Sequence, residues 1–250
     1  MGFVLGLLGG GGSILTVPIL FYIFGLDAVT STAYSLIIVG TAAAVGAYRN
    51  QKKGNVDFKT GVLFALPALV GVFLARAYIV PAVPEEVVKL GNLRLMKDSF
   101  ILIVFAMMML GASYSMIMGR TEVSNEKVSG LPFRSLLGFG VGLATGFVGA
   151  GGGFIIVPVL NRFAGLSIKK AMGTSLLIIS INAVVGFSGD LLTLEPDWFF
   201  LIKLTSVAIL GVLAGTSFNS KFPAKVLKKL FGFFVLALGV VIVCKQVTSL

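Results

Sequence analysis

From residue 101 to 118 the chain reads ILIVFAMMMLGASYSMIM, without one charged side chain. A helix rises 1.5 Å per residue, so such a run can cross a hydrocarbon core roughly 30 Å thick. It belongs to segment 99–119, and comparable apolar segments occupy 2–24, 29–48, 60–80, 135–161, 171–189, 198–218 and 226–244. Inside lipid every backbone N–H and C=O must find a partner within the protein, and for segments this long the helix supplies it. The composition agrees, with 57% hydrophobic and 12% charged residues and a mean hydropathy of +1.03. The expectation is an all-α integral membrane protein in the cell membrane, in contact with lipid.

The net charge of +10 would suit a nucleic-acid partner, but all the basic residues except Arg76 and Lys203 lie between the apolar segments or near their ends. Membrane topology accounts for them there, and no nucleic acid is expected. The chain has no histidine and a single cysteine, Cys244, which rules out an intrachain disulfide and a cysteine metal cluster. No cofactor and no metal are expected. No Asp or Glu stands in the middle of an apolar segment, so neither a carboxylate proton relay nor the general base of an enzyme is visible. Arg76, late in segment 60–80, and Lys203, early in 198–218, are expected to snorkel to the interface. The start, MGFVLGLLGGGG, has neither the basic region nor the small-residue cleavage site of a signal peptide.

The chain is written twice. A shift of 140 aligns 2–48 with 142–188 without a gap, and Gly2, Gly6, Gly9, Gly11, Gly12, Pro18, Ser35 and Gly46 all meet an identical residue. The same shift pairs Asp57 with Asp197 and Gly71 with Gly211. Register is lost near residue 91, where the first half carries about twelve extra residues including the loop LGNLRLMKD. The expected division is a first repeat over 1–118, a connecting loop over 119–134 and a second repeat over 135–250.

Loop charges fix how the copies are oriented. Arg49, Lys52, Lys53 and Lys59 follow the second apolar segment, whereas the equivalent loop of the second copy holds Asp190, Glu195 and Asp197. The loop after the first segment holds only Asp27, whereas its equivalent holds Arg162, Lys169 and Lys170. Basic loops face the cytoplasm, so equivalent loops belong on opposite faces and the repeats are inverted. The loops with Arg120, Lys127 and Arg134 and with Lys221, Lys225, Lys228 and Lys229 then fall inside, and the loop with Lys89, Arg94 and Lys97, offset by Glu85, Glu86 and Asp98, falls outside. Inversion requires an odd number of crossings per copy, yet each copy has four apolar segments. One segment in each copy must enter and leave on the same side. Eight full crossings would instead divide the basic loops between the faces.

The segments that fail to cross are the ones that open each half, LGGGGSILTVP at 8–18 and VGAGGGFIIVP at 148–158. Glycine permits a tight reversal, and the unpaired N–H groups of a helix starting near Ser13 or Phe154 carry the positive end of its dipole. Two such ends brought to the midplane from opposite faces make an anion site out of backbone. Close packing of small residues explains Gly138, Gly142 and Gly146 well but a run of glycines before a proline less well. The candidate substrate-binding residues are Gly9, Gly10, Gly11, Gly12 and Ser13 in the first copy and Gly149, Gly151, Gly152 and Gly153 in the second. Ser35, Ser175 and Asn182, polar positions in otherwise apolar segments, complete the set. Asp57 and Asp197 read as N-terminal residues of the helices that follow them.

The motifs GGGGSILTVPIL and GAGGGFIIVPVL, one opening each half, with about eight apolar segments in 250 residues, resemble the TauE/SafE family of membrane permeases, the sulfite exporter family. The likeness covers essentially the whole chain. It implies movement of a small sulfur-containing anion, such as sulfite or an organosulfonate, across a bacterial or archaeal cytoplasmic membrane. One departure is that only eight residues precede the first glycine run, against about sixteen apolar ones before the second, so either the first arm is short or the true start lies upstream. The expected function is transport of such an anion, in the direction of export, by alternating access around the two breaks. An anion channel of the same architecture and a membrane-embedded lipid-phosphate enzyme are the other readings, and a homo-oligomer is compatible with all of them.

Overall fold

The computed structural model describes residues 1–90, 93–118, 131–149, 151–218 and 224–248. Residues 119–130 of the expected connecting loop, with Arg120 and Lys127, lie outside the described residues, as do Lys221 and the side chains of Arg134, Lys225 and Lys228. Eleven α-helices follow in chain order: α1 (Gly2–Leu8), α2 (Thr16–Tyr22), α3 (Ala28–Lys52), α4 (Phe58–Leu74), α5 (Val80–Ala82), α6 (Lys97–Met118), α7 (Leu131–Val148), α8 (Gly153–Phe163), α9 (Ile168–Asp190), α10 (Trp198–Phe218) and α11 (Ala224–Thr248). A 3-10 turn over Gly11–Leu15 leads into α2, and a π-helical turn over Ala75–Ile79 joins α4 to α5.

Among the described residues six stretches are long and apolar enough to cross a membrane: Ala28–Lys52, Phe58–Ala82, Lys97–Met118, Ile168–Asp190, Trp198–Phe218 and Lys229–Gln246. The protein is an all-α, multi-pass integral membrane protein. The segments around the glycine runs are broken into shorter pieces, Gly11–Tyr22, Ser135–Val148 and Gly153–Phe163. Helix starts are set by local chemistry: Asp27, Asp57 and Asp197 each accept a hydrogen bond from the backbone N–H three residues on, at 2.8, 2.9 and 3.0 Å.

α3 and α9 form the centre. In each, 67% of the most apolar window is buried, against 28 to 44% in the other four spans. Glycines set how closely the helices approach, and their neighbours reveal direction. Gly40 lies on Ala183, Gly46 on Leu176 and Gly186 on Leu36, so α3 and α9 run antiparallel. Gly138 lies on Phe64, Gly142 on Ala68 and Gly146 on Val72, so α7 runs parallel to α4. Gly2 lies on Ala208 and Gly6 on Val212, so α1 runs parallel to α10. Gly61 touches Thr174 and Gly189 touches Arg76, which makes α4 parallel to α9, while Arg49 reaching Leu213 and Asp197 reaching Tyr34 make α3 parallel to α10. Gly232 by Met116 and Gly239 by Met109 make α6 and α11 antiparallel.

These contacts exchange under the shift of 140. Gly2 on Ala208 becomes Gly142 on Ala68, and Gly6 on Val212 becomes Gly146 on Val72. The backbone N–H of Asp57 donates to Thr174 Oγ1 at 3.0 Å, and that of Asp197 donates to Tyr34 OH at 2.7 Å, where Tyr34 and Thr174 are themselves equivalent. Each helix therefore runs antiparallel to its own repeat mate.

Two hairpins follow from these directions. α7 and α9 both run with α4, so α8 between them must return, and α1 and α3 both run with α10, so α2 must return. Among the described residues, Arg49, Lys52, Lys53, Lys59, Arg162, Lys169, Lys170 and Lys229 gather at one end of the bundle, because the end of α3 meets the start of α9 where Gly173 abuts Asn55. The opposite end carries Asp27, Glu85, Glu86, Asp98, Glu195 and Asp197, interspersed with Lys89, Arg94, Lys97 and Lys245. There the extra residues of the first half form a two-stranded antiparallel hairpin, β1 (Glu86–Leu90) with β2 (Leu93–Met96), where a loop was expected. It is closed by Lys97 near Glu85 at 3.8 Å and Arg94 near Glu86 at 3.7 Å.

Candidate functional site

The two glycine runs reach each other. A side chain on Gly10 would stand 2.7 Å from the Cα of Gly153, and one on Gly153 would run into the backbone of Gly10. Only hydrogen on both Cα atoms allows that approach. Gly9, Gly10, Gly149, Gly151 and Gly152 have φ of 64°, 130°, 70°, 63° and 71°, the left-handed region that side chains avoid, which is how α1 and α7 end and reverse. After the second turn an eleven-residue helix, α8, begins at Gly153, close to the expected start. In the first half the 3-10 turn intervenes and the α-helix begins only at Thr16.

All the other candidates are buried as well. Ser13 Oγ donates to Gly10 O at 2.7 Å and Gly151 packs beside it. Gly11 lies against the ring of Phe231, and Gly12 against the backbone of Leu5. Ser175 Oγ donates to the carbonyl of Gly9 and also lies 2.8 Å from Met172 O, tying α9 to the end of α1. Ser35 and Ser175 are not brought together. Leu36 is level with Gly186 and Leu176 with Gly46, which separates the two hydroxyls by about ten residues of α3, or about 15 Å. Asn182 lies one turn beyond Ile179, the side chain that touches both Gly10 and Gly151.

Several polar atoms in this region have no hydrogen-bond partner among the described residues: Thr16 Oγ1, Ser35 Oγ and both amide atoms of Asn182. Leaving such groups buried and unpaired is costly. Between the breaks themselves there is little room. A chamber of about 30 Å³, lined by Leu8, Gly11, Gly153, Phe154, Val157 and Met172, adjoins them, about the space of one water molecule.

Arg76 does not snorkel. It is 1% exposed, and its Nη1 donates to Thr32 Oγ1 at 3.0 Å and lies 3.3 Å from Asp190 Oδ1. Its Nη2 presses on Gly149, the residue that ends α7. Its partner Asp190, expected in a loop, is the last residue of α9 and 4% exposed. The π-helical turn over Ala75–Ile79 holds the arginine, and parallel packing of α4 with α9 brings the carboxylate to it. Nε and Nη2 of Arg76 and Oδ2 of Asp190 have no partner among the described residues. Sequence carried one signal of this pair: Arg76 is equivalent to Thr216 and Asp190 to Asn50, so both charges break the internal repeat. Lys203, by contrast, is exposed, with Nζ 3.8 Å from the centre of the Phe199 ring.

Among the described residues, six spans and two broken hairpins that meet in the interior of a helical bundle define a multi-pass membrane protein. The chain belongs to the family described as sulfite exporter TauE/SafE, whose model matches residues 1–242. It is 30% identical over 267 residues to a "Probable membrane transporter protein" of Xylella fastidiosa (strain 9a5c), covering 100% of this chain and 94% of that one. It is 26% identical to "Probable membrane transporter protein YdhB" of Bacillus subtilis (strain 168), over 91% of this chain and 90% of the relative. No solved structure matches the chain.

Proposed function

We propose that this transporter moves a small sulfur-containing oxyanion, such as sulfite or an organosulfonate, outward by alternating access, and that the two glycine breaks form its binding region. The observation that carries the reading is the backbone contact of Gly10 with Gly153, which brings the two reversals to one place in the interior. Where α8 begins, its first N–H groups and its dipole favour negative charge without a charged side chain. Antiparallel repeat mates support an inverted repeat, the architecture in which one half can take the shape of the other while the site stays fixed. With repeats over 1–118 and 135–250, the basic end of the bundle faces the cytoplasm. An anion leaving a cell that is negative inside gains about 2.3 kcal/mol per charge per 100 mV, so export needs no carboxylate-based coupling site.

Flux of radiolabelled sulfite from proteoliposomes tests this. The expected result is saturable flux that sulfoacetate or taurine competes, lost in Gly153→Leu while the variant still elutes as folded protein. Flux unaltered by Gly153→Leu would place the substrate elsewhere, and no flux of any of these anions would end the substrate assignment.

A further inference from the structure

The repeat-equivalent clefts of this molecule differ. Between α6 and α8 lies a cavity of about 370 Å³, lined by Met108, Gly111 and Ser115 on one side and Phe154, Pro158 and Arg162 on the other. Its inner end shares Phe154 and Pro158 with the small chamber that touches Gly11 and Gly153. Its outer end is the last turn of α8, where Arg162 is exposed at the basic end of the bundle. Gly111 faces open space, with no atom within 4 Å of where a side chain would begin.

The shift of 140 maps Phe154, Pro158 and Arg162 onto Ile14 in the 3-10 turn and Pro18 and Tyr22 in α2, the equivalent cleft beside α11, whose Phe231 and Val235 share a buried cluster with Ile14. This second cleft is tied at its mouth. Gln246 Nε2 donates to Tyr22 OH at 3.0 Å, and Lys245 Nζ stands 4.3 Å from the centre of the Tyr22 ring. Pro18 is buried where Pro158 is half-buried. The tie lies at the acidic end, because α2 and α11 both finish there.

We infer that the cleft between α6 and α8 is the route by which a hydrated anion reaches the glycine breaks from the basic end, with Phe154 as the inner door. The Tyr22, Gln246 and Lys245 cluster is the gate that holds the opposite route shut in this state. This rests on the transport reading above and adds its access path. Arg162 places positive charge at the entrance, Ser115 offers a hydroxyl along the wall, and the cavity ends against the breaks themselves. Two halves with equivalent sequence and contacts, one cleft open and the other tied, are the two shapes that an exchange of conformations would swap.

Cysteine reactivity tests the route. In a Cys244→Ser background, Ser115→Cys is exposed to a membrane-impermeant sulfonated methanethiosulfonate applied to either face, with Leu210→Cys, on the lipid-exposed side of α10, as the control. Ser115→Cys is expected to react from the basic face and Leu210→Cys to stay inert. Adding Gln246→Ala, or the milder Tyr22→Phe, is expected to slow Ser115→Cys labelling and to lower the ratio of Ser115→Cys to Ile19→Cys labelling rates about fivefold, the shift in equilibrium constant that one neutral hydrogen bond supports. The same changes should speed labelling of Ile19→Cys from the other face. Should Ser115→Cys react only with a lipid-soluble maleimide, the cleft holds lipid and the route is wrong. Should both tie variants leave both rates unchanged, the cluster is not a gate. Neither readout involves a substrate: rates that switch as stated in a protein that moves no sulfite would overturn the substrate alone, and sulfite flux through a protein whose Ser115→Cys ignores the charged reagent would overturn the route alone.

Discussion

At the scale of single residues, the buried pair of Arg76 and Asp190 concentrates the most energy. Side-chain exposures of 0% and 6% place both charges out of water, where each depends on the other. Arg76→Ala is expected to destabilise the protein by about 3 to 5 kcal/mol, because it strands a buried carboxylate. Replacing both by apolar residues, Arg76→Met with Asp190→Leu, should cost far less than the sum of the single changes. Thermal unfolding of the four proteins in one detergent gives the coupling, and additive losses would show that the pair does not interact. Hydropathy reading missed this pair for a physical reason. Four residues from the end of its segment Arg76 looks able to reach water, and only the packing of α4 along α9, joining residues 114 positions apart, walls it in. Serines were legible as polar points but not as partners. Ser175 bonds a carbonyl on α1 that its own helix gives no hint of, while its equivalent Ser35 has no such bond.

At the scale of helices, the contact surfaces are made of backbone meeting backbone. Gly142 on α7 lies directly on Ala68 of α4, while Gly140, two residues away on the same helix, has nothing within 4 Å. Gly140→Ala is expected to stabilise the protein by up to about 1 kcal/mol through helix propensity. Gly142→Ala must push α4 away and is expected to destabilise by about 1 to 3 kcal/mol, the cost of overpacking a filled interface. The difference in unfolding temperature between the two checks this, and equal shifts would mean that α4 and α7 do not pack as closely as described. Apolar runs, the glycine breaks and the Asp57 and Asp197 helix starts were all visible in sequence, since each rests on local periodicity or a neighbouring cap. The β1 and β2 hairpin was not, because the alternation in EVVKL and LRLM is too short to stand out beside apolar segments several times as long.

At the scale of the whole molecule, the decisive quantity is the number of times each half crosses the membrane. Hydropathy alone counts four apolar segments per half, and four crossings would return each half to the face it started from. Helix directions argue for three. α7 runs with α4 and α9 also runs with α4, so the chain between them returns before α9 begins, and the helix ends holding Gln51 in α3 and Lys169 in α9 lie at the same end. The loop holding Leu192, 73% exposed, lies at the other end. Single cysteines at Gln51, Lys169 and Leu192, in the Cys244→Ser background, should therefore divide two against one: Gln51→Cys and Lys169→Cys react with an impermeant reagent only from the cytoplasm, and Leu192→Cys only from outside. Eight full crossings would put Gln51 and Lys169 on opposite faces, because an odd number of spans would separate them. The electrostatics make the same demand. Eight described Lys and Arg residues sit at the shared end, and holding a cluster of that size outside would set it against the positive-inside preference. A reagent that modifies Gln51→Cys and Lys169→Cys from different sides would remove the two hairpins, and with them the geometry that brings Gly10 to Gly153.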